Sequence, residues 1–175
     1  NVGQGYDGKK QTGQQSLDKG FEIGNGGIVH LSLDARNQND DNKASANGYT
    51  YAQTLNKAGT STYGGYGTPK IDLYNLAYNA ELPISDDFKL YSFATYAERK
   101  LEAYNNYRLP NSNASIPELF PDGYYPLNNI KDTDYQWLRG GKGQVGDWDW
   151  DLSTTYGRNK NQQSSDLTIN PTYGP

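Results

Sequence analysis

Residues 132–160 read DTDYQWLRGGKGQVGDWDWDLSTTYGRNK, and from Asp147 onward they alternate without a fault. Trp148, Trp150, Leu152, Thr154 and Tyr156 fall on one side, and Asp147, Asp149, Asp151, Ser153 and Thr155 on the other. A two-residue period is that of a β-strand, here with one aromatic, apolar face and one acidic, hydroxylic face. Such a strand buries its aromatic face either against a second sheet or against hydrocarbon, leaving the polar face in water. The rest of the chain separates the two.

Working outward, the same period recurs. Strands are expected near 9–23, 28–37, 70–83, 88–102, 132–143, 147–160 and 165–170. The second sets Val29, Leu31, Leu33 and Ala35 against His30, Ser32, Asp34 and Arg36, and the third sets Tyr74, Leu76, Tyr78, Ala80 and Leu82 against Asn75, Ala77, Asn79 and Glu81. The segment from Phe88 is ambiguous, with Tyr91, Phe93 and Ala97 on one side and Leu90, Ala94 and Tyr96 on the other. Gly24–Gly27, Pro83–Asp87 and Gly143–Gly146 supply short reversals. Between them lie two long polar connections, 37–69 and 102–131, far beyond ordinary loop length for a compact domain. Connections that alternate short and long fit strands crossing a slab whose two sides differ, whereas Greek-key sandwiches mix their lengths.

Composition agrees. The mean hydropathy of −0.95 is very low for a chain that must fill a core. No window approaches the roughly 20 apolar residues of a membrane-spanning helix, but alternating barrel strands escape such a window. Sixteen tyrosines and three tryptophans against four phenylalanines favour places with one wet and one apolar side. A net charge of −4 argues against a nucleic-acid partner, which needs a basic footprint. With no cysteine there are no disulfides or thiolate metal sites. The ends look like those of a processed chain or of a piece of a longer one.

Motifs that suggest chemistry have plainer explanations. Gly141–Gly146 matches GxGxxG, yet a dinucleotide site needs a helix to start there and a strand follows. Asp147, Asp149 and Asp151 share a face at about 7 Å spacing, too far apart to hold one small ion unaided. His30 is the only histidine, so zinc or triad chemistry would rest on it alone. Asp40 and Asp41 lack calcium-loop spacing. No catalytic residue, metal site or cofactor is expected.

The order LYNLAYNAELPISDDFKLYSFATYAERK, YRLP, FPDGYYPLNNIKDTDYQWLRGGKG and GDWDWDLSTTYGRN resembles the barrel of the TonB-dependent receptors of Gram-negative bacteria. Pro121-Asp122-Gly123 and Trp148–Gly157 hold positions of family motifs, and the likeness runs from about Leu17 to the end. It implies an all-β fold, a sector of an antiparallel transmembrane β-barrel of about seven strands with short periplasmic turns and long extracellular loops. The family's plug domain and its terminal aromatic strand have no counterpart here.

The function implied is active uptake of a scarce solute, typically an iron–siderophore chelate, across the outer membrane. The partners implied are the TonB complex, reached through a plug, outer-membrane lipid, and a small-molecule or metal-chelate ligand. Tyr51, Arg108, Tyr124 and Tyr125 are candidate ligand contacts in the loops, whose mixture of Tyr, Arg, Asn, Ser and Gly suits recognition surfaces. Tyr135, Trp137, Trp148, Trp150 and Tyr156 are the candidate lipid-facing girdle. The competing expectations are a passive porin-like channel and a secreted glycan-binding or adhesive β-domain.

Overall fold

The computed structural model describes residues 2–4, 11–40, 68–110, 112–121 and 123–174. It is all-β: β1 (Val2–Gln4), β2 (Gln11–Ile23), β3 (Gly27–Gln38), β4 (Lys70–Ser85), β5 (Phe88–Tyr104), β6 (Leu127–Val145) and β7 (Trp148–Asp166), with one 3-10 turn at Pro171–Tyr173. The strands form a single antiparallel meander in chain order. The sheet is open, since β7 pairs with β6 and β1 with β2, but not with each other.

A meander puts its odd and even connections at opposite ends. The tight turns, Gly24–Gly26, Asp86–Asp87 and Gly146–Asp147, therefore share one end, and connections 39–69 and 105–126 share the other. Gly24, Gly26 and Gly146 have positive φ (53°, 83° and 61°), a conformation that side chains with a Cβ resist.

Several expected bounds shift. No separate strand forms over 165–170: Ser165 and Asp166 finish β7, and the residues after them pair with no strand among the described residues. The seventh strand is instead β1, at the other edge. β6 begins at Leu127, so the connection expected over 102–131 contracts to 105–126. The polar run LNNIKDTD lacks apolar alternation, and its ladders to β5 and β7 extend the strand.

The register also fixes the face of β5. Leu90, Ala94 and Tyr96 pair with Gly141, Trp137 and Tyr135, so they share the side of the β6 aromatics, while Tyr91, Phe93 and Ala97 join the opposite side. Among the described residues the buried apolar side chains are Pro110, Ile116, Tyr124 and Pro126, and all lie in connection 105–126. Among the described residues the sheet is thus a single layer, with a small core in a loop.

Candidate functional site

Directly opposed residues of antiparallel strands point to the same side, so the register sorts the sheet into two faces. One is an apolar band crossing six strands: Leu17, Phe21 and Ile23; Val29, Leu31 and Leu33; Tyr74, Leu76, Tyr78 and Leu82; Phe88, Leu90 and Tyr96; Tyr135 and Trp137; Trp148, Trp150, Leu152 and Tyr156. Its side chains are left open: Trp148 is 80% exposed, Leu152 75% and Leu17 65%. No second sheet of the described residues covers them.

The aromatics gather at the two ends of this band. Tyr74, Tyr96, Tyr135, Trp137 and Tyr156 stand toward the long connections, and Phe88, Trp148 and Trp150 toward the tight turns. From Trp148 to Tyr156 the strand advances about 26 Å at ~3.3 Å per residue. All five aromatics singled out from sequence lie on this face. Phe88, Tyr74 and Tyr96 complete the rows; Phe88 and Tyr96 were hidden because the face of β5 was not legible, whereas Tyr74 stands on a face that the alternation of its strand already shows.

Glycines of β6 carry rings laid over them from the flanking strands. A Cβ on Gly140 would meet the Tyr91 ring at 2.6 Å, one on Gly141 the Phe88 ring at 2.9 Å, and one on Gly143 the Trp150 ring at 3.3 Å. Phe88 and Trp150 stack across Gly143 with centroids 5.6 Å apart.

The opposite face is polar and densely cross-linked. Asp34 accepts from Gln14 Nε2 (2.8 Å) and Ser16 Oγ (2.6 Å), and Asp18 meets His30 Nε2 at 2.8 Å and accepts from Ser32 Oγ. Glu81 is clamped by Lys142 (2.8 Å) and Lys89 (3.1 Å), from two different strands. Tyr91 donates to Asp151, and Asp132 accepts from both Arg99 and Asn161. The Arg99 guanidinium, helped by the Asn161 amide, holds the Asp132 carboxyl below its ordinary range. On the side of the apolar band, beyond Tyr74, Glu102 raises the Lys70 ammonium by hydrogen bond and charge. These groups escaped sequence reading because only the register pairs them across strands.

Connection 105–126 forms a compact cap over its own core. Arg108 and Tyr124 exchange backbone hydrogen bonds (2.8 and 3.1 Å), Tyr124 Oη donates to the Ala114 carbonyl at 2.9 Å, and Phe120 packs on Tyr124 at 4.3 Å. Tyr125 packs on Tyr107 (4.9 Å) and Tyr104 (6.3 Å). The structure therefore brings Arg108, Tyr124 and Tyr125 together, but buries Tyr124 as the pillar of the loop, while Arg108 and Tyr125 remain partly accessible. Tyr51 lies outside the described residues. Gly141–Val145 is strand and Gly146 a turn, so the GxGxxG run opens no helix. Comparison of the chain with protein-family models, curated proteins and solved structures finds no match.

Proposed function

We propose that the chain is a sector of a transmembrane β-barrel of the TonB-dependent receptor type, serving energy-coupled uptake of a scarce solute such as an iron chelate across an outer membrane. The observation that carries the bilayer reading is the apolar band, bounded by aromatic rows at both ends and backed by a cross-linked polar face. Hydrocarbon accounts for such a band, because tyrosine and tryptophan settle at the headgroup level and polar side chains line a wet interior. Water does not: so large an apolar surface on one layer invites association. In a bilayer the free edge of β7 needs a partner strand, since unpaired backbone in hydrocarbon costs several kcal/mol per group. A closed barrel supplies it.

The solute class and the coupling to TonB rest on the resemblance of the ordered strand and loop motifs to that receptor family. In this reading the tight turns are periplasmic, and the cap formed by 105–126 belongs to the outer, ligand-capturing surface. No residue performs covalent chemistry; the wall contributes shape and a polar lining.

The test is uptake of a ferric chelate by cells with and without the gene, each with and without a protonophore. Uptake that needs both the gene and the proton gradient supports the proposal. Gene-dependent uptake that ignores the protonophore overturns it in favour of a passive channel.

A further inference from the structure

The apolar face carries cations that no carboxylate answers. Arg139 stands on β6 opposite Thr154 of β7, and Arg158 and Lys160 follow on β7 opposite Tyr135 and Thr133. All three are exposed, and among the described residues none forms an ion pair. Their neighbours differ: Lys131 and Lys100 both lie against Glu98, at 3.1 and 3.6 Å.

The position of the three is specific. The Arg139 guanidinium lies 5.3 Å from the Trp137 ring centroid, reaching from within the apolar band toward the aromatic row at the long-connection end. A long cationic side chain behaves this way when its stem is in an apolar medium and its head seeks the polar boundary. Arg158 and Lys160 continue outward along β7, opposite Tyr135 and Thr133 and about 7 Å apart as alternate residues of a strand. The cations thus form a ladder beginning at the level that Trp137 and Tyr156 mark.

We propose that this outer surface of β6 and β7 binds the phosphate of a membrane-lipid headgroup through Arg139, Arg158 and Lys160. The inference rests on the bilayer reading above, which puts the aromatic row at headgroup depth. An anion at that depth is a headgroup phosphate. Guanidinium groups match its oxygens in bidentate fashion, and an ammonium adds a point charge.

The experiment places the whole barrel that carries this sector in phosphatidylcholine nanodiscs containing a minor fraction of fluorescent phosphatidylglycerol and reads energy transfer from the protein's tryptophans. Wild type should enrich the anionic lipid, and removing cations should lower its relative association about fivefold for each charge, roughly thirtyfold for Arg158→Gln with Lys160→Gln. Lys131→Gln, whose charge already faces Glu98, should change it little. Equal association in wild type and the double variant, with both proteins inserted, overturns the lipid site and leaves the bilayer reading standing. Displacement of the labelled lipid by inorganic phosphate overturns the assignment to a headgroup. Failure to insert, with tryptophans unquenched by brominated lipid, removes the bilayer reading and this inference with it.

Discussion

Replacing Leu152 with arginine separates hydrocarbon from water on the apolar face. Leu152 stands at the middle of its band, about 13 Å along β7 from both Trp148 and Tyr156. It is 75% exposed, so its removal forfeits little packing within the sheet. If that exposure is to water, the substitution is an ordinary surface change, within about 0.5 kcal/mol. If it is to lipid, an arginine near the bilayer midplane costs about 2–4 kcal/mol, which at the lower limit is roughly thirtyfold in the folding equilibrium. The two expectations do not overlap. The assay is reversible folding of the whole barrel that carries this sector into phosphatidylcholine vesicles, titrated with guanidinium chloride and followed by tryptophan fluorescence. Leu119→Arg is the control, at 52% exposure in connection 105–126, and should stay within about 0.5 kcal/mol. A Leu152→Arg effect no larger than the control's would refute a lipid-facing band.

Three further outcomes are expected. Gly140→Val should destabilise by about 1–3 kcal/mol, because its Cβ falls 2.6 Å from the Tyr91 ring and displaces the hydroxyl that Asp151 accepts from; paired denaturation curves check this, and a neutral result would mean the ring moves freely. Tyr124→Phe removes the bond to the Ala114 carbonyl and should cost about 1 kcal/mol locally, read as faster proteolytic nicking within 105–126 while β5 and β6 stay protected; unchanged nicking would show that the bond does not hold the cap.

The third concerns pH. Asp132 has its carboxyl lowered below the ordinary 3.8 in the folded state. Its contribution is therefore fully present above that value and is lost as pH falls through the folded value. The stability gap between wild type and Asp132→Asn should be constant above about pH 5 and close below it. A gap that persists in strong acid would place the effect elsewhere than the carboxylate.

Much of the sheet was legible because its strands are divided so cleanly. Trp148–Tyr156 and Val29–Ala35 announce their faces by alternation, and Gly24–Gly26 and Gly146 announce reversals by composition. β5 was not legible, because Tyr91 and Phe93 are as apolar as Leu90 and Tyr96. What decides between the two sides is the register with β6 some fifty residues later, which sets Leu90, Ala94 and Tyr96 against Gly141, Trp137 and Tyr135.

The ends of the long strands were missed for a related reason. Leu127–Lys131 and Asn161–Asp166 have little propensity of their own and become strand by pairing with each other. Conversely, the residues after Asp166 resemble a strand but pair with no strand among the described residues. Of the loop residues, composition identified tyrosines near one another but could not tell an anchor from an exposed ring. Tyr124 is an anchor because Ala114, Phe120 and Arg108 close around it.

The bare backbone of β6 has a mechanical consequence. With Tyr91 reaching over Gly140 to Asp151, and Trp150 lying over Gly143 against Phe88, β5 and β7 grip each other across the strand between them. Sliding any one of the three by a single residue would unseat rings on both sides of the sheet at once, so the trio resists shear as a plate does.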